Sequence, residues 1–396
     1  MNSSSPKRVY LDYNATAPLH PAARAAMSAA FDHCGNASSV HAEGRAARTA
    51  VESARAEVAT FAGVAAKNVV FTSGGTEALN LALTPNIGCQ GEKRPLDLLL
   101  AGAGEHPAVL SGHQFSSSLF RITRLTRQGM LDLDALHAAA TRASAAGRRI
   151  MLAIQAANNE TGVIQPVAAA AEIVHAAGGV VVCDAVQAAG KIDCDAGRLG
   201  ADAIALSAHK FGGPQGVGAL CLSSDRHRIN KPLLRGGGQE RGQRAGTENV
   251  AGIAGMAAAL AAAKARQDEE AEKLTGWRSA LESEIAKIAQ EAVFFGSAEK
   301  RLPNTLCFAL PWIEAQVLLI SLDMEGVAVS SGSACSSGKV KPSHVLSAME
   351  VAPELARGAI RVSLGWNSRW EDCTSFLEVF ESTVARMRAR RKIAAA

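Results

Sequence analysis

Residues 207–218, SAHKFGGPQGVG, follow a short apolar run and contain four glycines. The run before them has the continuous apolar pattern of a strand that is buried on both faces. In an open α/β sheet, ligands bind beyond the carboxyl ends of the strands, where Lys210 would lie. A partly desolvated lysine amine at that place has a lowered pKa and can form a Schiff base. A surface lysine in a loop is the alternative, but it leaves Ser207, His209 and the glycines unexplained.

Short apolar runs rich in β-branched residues alternate with helical stretches between about residues 65 and 225. This alternation is typical of a mostly parallel sheet that is covered by helices on both faces. The sequence therefore predicts an α/β fold with a mostly parallel, seven-stranded sheet. The candidate strands are 68–72, 97–101, 119–125, 150–155, 179–184, 202–207 and 218–222, and the candidate helices include 76–83, 132–146 and 167–177.

The pattern changes after Asn249, where an Ala-, Glu- and Lys-rich stretch predicts one or two long helices. We expect a large α/β domain over residues 15–260. Residues 1–14 and 261–396 would form a smaller α+β domain, with the N-terminal segment packed on it. The elements predicted after residue 249 are helices at 250–288, 314–323 and 369–391 and strands at 292–295, 304–310 and 358–364.

Composition excludes several classes of protein. The 396 residues are 48% hydrophobic and 20% charged, which permits a sizeable core and argues against intrinsic disorder. A net charge of +4 and an aromatic content of 4% argue against direct nucleic-acid binding. The basic run at 386–392 is better interpreted as a solvated helix end or as a docking patch for an acidic partner.

The N-terminal stretch and the cysteines indicate the compartment. No apolar run is long enough to span a membrane, and none follows Lys7 and Arg8, so we expect neither a membrane span nor a secretory signal. The eight cysteines are scattered and form no CxxC pair, which excludes zinc-ribbon and thioredoxin interpretations. We therefore expect reduced thiols in the cytoplasm and no metal site, with Cys183 and Cys221 in the core.

Two further segments place polar groups at predicted strand ends. Asp184 follows four apolar residues, and an unpaired carboxylate there calls for a cationic partner such as a protonated pyridine nitrogen. Gln187 could face the same site, and a helix N-cap is the equally weighted alternative for Asp184. In residues 71–80, a strand leads through Gly74 and Gly75 to a helix that begins near Thr76. Such a helix N-terminus can cradle a phosphate, although this signal is weak when taken alone.

Two loops add candidate ligand groups. His106, after the predicted strand at 97–101, could stack on a planar cofactor or move a proton, or it could be an ordinary packed loop histidine. Asn159 lies in the polar loop 158–162, which is either an Asx turn or a set of amide donors. A Schiff-base lysine, a carboxylate and a phosphate cradle together are the groups that pyridoxal 5'-phosphate (PLP) requires.

Cys335 lies in the Ser- and Gly-rich stretch 330–339, SSGSACSSGK. With almost no bulky side chains, the stretch predicts a mobile loop with an exposed thiol. The nearby Lys339 and Lys341 would favour the thiolate. Such a thiol suits a nucleophile that visits a site and delivers its cargo elsewhere, and a flexible linker with an incidental cysteine is the alternative.

The ordered set of motifs strongly resembles the NifS/IscS-like cysteine desulfurases of the class V aminotransferase group. The resemblance covers nearly the whole chain. The long Ser- and Gly-rich loop around Cys335 is similar to the loop of the long-loop subgroup of these enzymes. Besides the segments above, the resemblance rests on residues 10–16 (YLDYNAT), 35–41 (GNASSVH), 236–240 (GGGQE), 244–249 (RAGTEN), 331–335 (SGSAC) and 360–365 (IRVSLG).

The resemblance implies a fold-type I PLP enzyme, a homodimer with active sites at the subunit interface, and release of sulfur from L-cysteine to leave L-alanine. It also implies a persulfide on Cys335, passed to an iron–sulfur scaffold or another sulfur-acceptor protein. For the ring of PLP, the resemblance implies attachment to Lys210, contact of the pyridine nitrogen with Asp184, stacking and proton transfer by His106, and contact of the phenolic oxygen with Gln187. The residues that it implies for phosphate binding are Gly75, Thr76, Ser207, His209 and the partner's Thr247. Asn159 and Arg361 are the residues that it implies for substrate binding.

Other interpretations stay open at this point. A selenocysteine lyase, a cysteine sulfinate desulfinase or a small-amino-acid aminotransferase would share the PLP site. Cys335 argues against the aminotransferase but not against selenocysteine as a substrate. A non-catalytic sulfur-relay scaffold is disfavoured because Lys210 and Asp184 are both present.

Overall fold

The computed structural model describes residues 8–89, 94–332 and 342–395. Its strands are β1 (Val9–Tyr10), β2 (Val69–Thr72), β3 (Ile87–Cys89), β4 (Leu98–Gly102), β5 (Phe120–Thr123), β6 (Ile150–Gln155), β7 (Val180–Asp184), β8 (Ala203–Ser207), β9 (Gly218–Leu222), β10 (His227–Ile229), β11 (Val293–Phe294), β12 (Thr305–Ala309), β13 (Val327–Ala328), β14 (Ser330–Ser331) and β15 (Ala359–Ser363). Its α-helices are α1 (Pro21–Phe31), α2 (Ala42–Ala62), α3 (Gly75–Ala82), α4 (Pro107–Leu110), α5 (Leu133–Ala145), α6 (Val167–Ala176), α7 (Ala196–Leu199), α8 (Val250–Ala265), α9 (Gln267–Ile288), α10 (Ala315–Met324), α11 (His344–Ala348), α12 (Pro353–Ala356) and α13 (Trp370–Ala395).

A seven-stranded sheet in the order β2-β9-β8-β7-β6-β4-β5 forms the larger layer, and it confirms the predicted α/β fold. Strands β8, β7, β6, β4 and β5 run parallel, whereas β9 is antiparallel to both of its neighbours. The register places Asp184 opposite Gln155 on one side and Ala205 on the other. The carboxyl ends of the parallel strands therefore meet along one edge of the sheet.

Both faces of this sheet are covered, as its apolar strands require. Val181 and Ile204 pack with helices α2 and α8 on one face, and Val182 and Leu220 pack with α3 on the other. Cys183 and Cys221 are fully buried, as expected.

A second, four-stranded antiparallel sheet has the order β11-β12-β15-β14 and packs against α9, α10 and α13. Strand β1 pairs with β13, so Leu11 lies in the core of this part of the chain. The helical stretch predicted at 250–288 divides at Arg266, the residue between α8 and α9. Leu260 packs on the large sheet and Leu274 on the small one. This change of partner supports a domain boundary near residue 260, which stays a prediction.

Helix α13 is tied to the small sheet region near its C-terminal end. Arg388 pairs with Glu291 at 2.7 Å, Arg386 pairs with Glu325 at 3.4 Å, and the guanidinium of Arg391 lies 5.7 Å from the ring centre of Trp312. Part of the basic run at 386–392 thus has partners within the chain, rather than being a fully solvated helix end. No helix among the described residues combines the length and the apolar character that a membrane crossing needs.

Candidate active site

The loops that leave the carboxyl ends of the large sheet surround a cleft of about 480 Å³, a volume typical of ligand sites. The cleft brings together residues that are far apart in the sequence and that the motifs had singled out. Its lining includes the predicted site residues Gly75, Thr76, His106, Asn159, Asp184, Gln187, Ser207, His209, Lys210 and Arg361.

Lys210 closes a short 3-10 turn directly after β8, so its stem projects from the sheet edge into the cleft. Its Nζ donates to the backbone carbonyls of Asn14, at 2.6 Å, and Ala15, at 2.9 Å. Burial and the positive charge of Arg361 lower the pKa of Lys210 to about 8. An amine with this pKa loses its proton more readily than an exposed lysine does, which is what a nucleophilic amine requires.

Asp184 is the last residue of β7 and is only 7% exposed. Its Oδ1 accepts the Val186 N–H at 2.9 Å, and turns rather than a helix follow it, so the N-cap interpretation is wrong. Burial raises the pKa of Asp184 to about 6, although Lys210 opposes this rise. A cation placed against this carboxylate would recover the cost of its burial.

His106 is the N-cap of α4, and its Nδ1 accepts the Ala108 N–H at 3.1 Å. Because Nδ1 accepts, the neutral ring carries its proton on Nε2. Burial and the nearby Lys210 and His344 lower the pKa of His106, which keeps the ring neutral at physiological pH. The ring therefore offers the cleft a flat face and one N–H donor.

The part of the cleft next to the N-terminus of α3 has the features of an anion-binding site. Helix α3 begins at Gly75, and the first amides of a helix have no partner inside it. A Cβ on Gly75 would come within 2.6 Å of Val186 Cγ2, so the close approach of helix and loop requires glycine. Ser207 and His209 lie beside it, and burial, Lys210 and Lys191 lower the pKa of His209 to about 4. Thr247 is exposed and does not line this cleft.

Arg361 on β15 supplies the cationic wall of the cleft. Its Nη1 donates to the Asn159 carbonyl at 3.0 Å, and its Nη2 donates to Asp12 Oδ1 at 2.7 Å. Its buried Nε has no hydrogen-bond partner among the described residues. Nη1 and Nη2 each carry a second hydrogen, and these remain as donors for a carboxylate ligand.

Asn14 connects these groups, and the sequence analysis gave it no role. Its carbonyl accepts from Lys210 and, at 2.9 Å, from Gln187 Nε2. Its Nδ2 donates to the Asn159 carbonyl at 3.2 Å and to Thr305 Oγ1 at 2.9 Å. The YLDYNAT motif pointed to this segment only through the family resemblance, because an isolated Asn carries no chemical signal.

Two buried carboxyl groups contact residues of the cleft without lining it, and nothing in the sequence pointed to either. Glu105 is 2% exposed, accepts the Gln155 N–H at 3.0 Å, and has an Oε2 without a hydrogen-bond partner among the described residues. Burial raises the pKa of Glu105 well above the usual range. Glu160 is 3% exposed and accepts from the Ser343 hydroxyl. Burial raises the pKa of Glu160 to about 7, although the Ser343 hydrogen bond and the Arg361 charge both lower it. Their position after strands gave no hint that both would be buried.

Cys335 lies outside the described residues, so its predicted role stays a prediction. The described residues on either side of the segment 333–341 lie close to the cleft. Ser330 lines the cleft, Ser343 bonds Glu160, and His344 Nε2 donates to the Glu105 carbonyl at 2.9 Å. Both ends of the segment are thus attached to the loops that form the site.

We expect Glu160→Gln to remove a pH-dependent cost of folding. A carboxyl whose pKa rises from 4.5 to about 7 on folding favours the folded state fully below pH 4.5, and this contribution is lost as the pH rises through 7. Relative to the parent protein, the variant should therefore gain about 3 kcal/mol between pH 4.5 and pH 8. Urea titrations at several pH values measure this gain.

The matched control is Glu378→Gln, which makes the same chemical change at an exposed position on α13. A Glu160→Gln protein whose stability difference from the parent is the same at pH 5 and pH 8 would contradict the expected titration.

Comparison with known proteins identifies the family of this chain. The pattern of the family described as Aminotransferase class-V matches residues 9–376, and the chain belongs to that family. It is similar to cysteine desulfurase IscS of Dictyoglomus turgidum (40% identity, covering 96% of each chain) and to a cysteine desulfurase of Gluconacetobacter diazotrophicus (39%, covering 96% of this chain and 94% of the other). The X-ray structure of a NifS-like protein from Rickettsia africae superimposes with a TM-score of 0.85, at 32% identity, over 95% of this chain and 99% of the other. The resemblance to the NifS/IscS-like group is thereby confirmed.

Proposed function

We propose that this chain is a PLP-dependent cysteine desulfurase. It would convert L-cysteine to L-alanine while the sulfur atom passes to Cys335, so that one thiol of the enzyme becomes a persulfide. The observation that carries the proposal is the convergence of Lys210, Asp184 and Arg361 on one cleft. An amine nucleophile, a buried carboxylate and a guanidinium are the groups that hold PLP and an amino-acid carboxylate.

The residues present fit PLP. Class V aminotransferases and NifS-like proteins are PLP-dependent families, and the match to both is extensive. Gln187 lines the cleft and has a buried Oε1 without a hydrogen-bond partner in the described part of the chain, an acceptor well suited to a ring hydroxyl. Gly75 lets the start of α3 pack closely against Val186 and Ser207 at the cleft, where the α3 amides could hold a phosphate. Asp184 would pair with the protonated ring nitrogen.

When bound, PLP supplies an acceptor for the electron pair released at the substrate Cα. Lys210 would hold the cofactor covalently and, once displaced, take the Cα proton with its weakly basic amine. Thr76, Ser207 and His209 would bind the phosphate together with the α3 amides. His106 would stack on the ring and act as an acid–base group at the substrate thiol.

The substrate would be held by its carboxylate on Arg361, with Asn159 beside it. The Cys335 thiolate would then form a bond to the substrate sulfur while the carbon–sulfur bond breaks. Protonation of the remaining carbon gives alanine, so cysteine plus one enzyme thiol yields alanine plus one persulfide. An acceptor protein would take the sulfur from there, for iron–sulfur cluster assembly or another thio-cofactor.

A homodimer is part of this proposal. Thr247 is exposed and lies away from the cleft of its own chain, as expected if it contacts the phosphate in the second copy. A persulfide carrier must also be kept reduced between turnovers. Cys34, Cys183, Cys194, Cys221, Cys307 and Cys373 are free thiols, which supports a reducing compartment such as the cytoplasm.

The decisive experiment records the absorption spectrum of the purified protein before and after addition of L-cysteine, with alanine and sulfide assayed in the same tube under a thiol reductant. We expect a visible cofactor band that shifts, with alanine and sulfide appearing together. A shift without alanine would keep the PLP site but favour an aminotransferase or a selenocysteine lyase. The absence of a band after reconstitution with PLP would overturn the proposal.

A further inference from the structure

The Arg361 guanidinium already has an anionic partner, Asp12, next to the cleft. Asp12 Oδ1 accepts from Nη2 at 2.7 Å, and the two side chains are only 18% and 7% exposed. The pair joins the N-terminal segment to β15 across most of the chain. A ligand carboxylate would therefore be the second anion on the same guanidinium.

The backbone fixes the position of the Asp12 carboxylate. Asp12 forms an isolated parallel bridge with Ser363, two residues beyond Arg361 on the same strand. The Tyr10 hydroxyl donates to the Asp12 carbonyl at 3.1 Å, and the Tyr13 N–H donates to the Ser363 carbonyl at 3.2 Å. Asp12 thus stays beside Arg361 as part of a paired backbone segment.

Two consequences follow for a carboxylate that enters the cleft. The Asp12 contact uses one hydrogen of Nη2, leaves the second hydrogens of Nη1 and Nη2 for the ligand, and fixes the orientation of the guanidinium. The Asp12 charge also repels the entering carboxylate, and this repulsion is only weakly screened at a buried site. The first effect favours correct placement of the ligand, and the second limits how tightly it binds.

We propose that Asp12 is a positioning residue that orients Arg361 and weakens its hold on the α-carboxylate, so that the amino-acid product can leave. The inference rests on the proposed function for the identity of the product, L-alanine. The influence of Asp12 extends to Lys210, since its charge raises the pKa of that amine while Arg361 lowers it. Binding of the carboxylate therefore depends on the Asp12–Arg361 pair of charges, not on Arg361 alone.

Titration calorimetry of the PLP-loaded full-length protein tests this role with two ligands, L-alanine and L-alaninamide, which differ in the negative charge. In the Asp12→Asn variant, the side-chain amide oxygen at position 12 still accepts from Arg361, but the negative charge is gone. We expect the Kd of this variant for L-alanine to fall about tenfold relative to the parent protein. Its Kd for L-alaninamide should stay within about twofold of the parent value. With L-cysteine, KM and kcat should fall together, because release slows. Asp12→Ser is the substitute if the Asn variant fails to fold.

The matched control is Glu282→Gln, which neutralises a carboxylate that pairs with Arg301 outside the cleft and should change neither Kd. An unchanged or higher Kd for L-alanine in Asp12→Asn would overturn the inference, as would equal tightening of both ligands. Failure of the proposed function is separate. If the parent protein makes no alanine from cysteine, that function is lost, while the comparison of carboxylate with amide still decides the role of Asp12.

Discussion

Lys210→Ala protein, purified and then incubated with PLP, will show no visible band from covalently held cofactor after gel filtration. The reason is that the side chain removed supplies the amine that lies at the centre of the cleft, with a pKa of about 8. Turnover of L-cysteine should fall by a factor of about 10⁴ or more, as expected when a covalent nucleophile and proton carrier is deleted. Absorption spectra and alanine assays measure both effects.

The control for Lys210→Ala is a second lysine outside the cleft. Lys264 on α8 bonds Gln267 Oε1 at 3.2 Å, and Lys264→Ala should retain the band and the activity. Borohydride reduction of the parent protein should then fix the cofactor to Lys210, as mass spectrometry of peptides would reveal. Cofactor fixed to a different lysine would refute the assignment.

Cys335→Ala should separate sulfur transfer from cofactor binding. We expect the visible band and its shift with L-cysteine to persist, because the described cleft residues are unchanged. Formation of alanine and sulfide should decrease about 10³-fold or more, since the acceptor of the sulfur atom is gone. In the parent protein without reductant, mass spectrometry should find Cys335 heavier by one sulfur atom.

Cys34 supplies the matched control, because it is an exposed thiol that does not line the cleft. Cys34→Ala should leave the rate of sulfide formation unchanged. Sulfide release at the normal rate by Cys335→Ala would show that the covalent mechanism is wrong, even if the PLP site is correct.

The large sheet was predictable because its signal is local. Each strand is a short apolar run, and the observed strands differ from the predicted ones by a few residues at the ends. The direction of β9 was not predicted, since the pattern of a buried strand is the same in either direction. Its cause is the connection from Ser207 to Gly218, which is too short for the crossover that a parallel strand needs.

The cleft was predictable in part. Lys210, Asp184 and Gly75 follow strands, and strand ends of one sheet meet, so their proximity follows from the pattern. The pairing of Asp12 with Arg361 could not be foreseen, because the two are 349 residues apart and no periodicity relates them. The contact of Glu160 with Ser343 could not be foreseen either, because 183 residues separate the two.

The position of Asn14 has a consequence for how the protein is made on the ribosome. Its side chain and carbonyl join Lys210 and Gln187 to Thr305, and its N–H donates to Ser363 Oγ at 3.0 Å. Because Ser363 is translated 349 residues after Asn14, Asn14 reaches its final contacts only once β15 has been made. The large sheet can form earlier, but the cleft is complete only after β15 has left the ribosome.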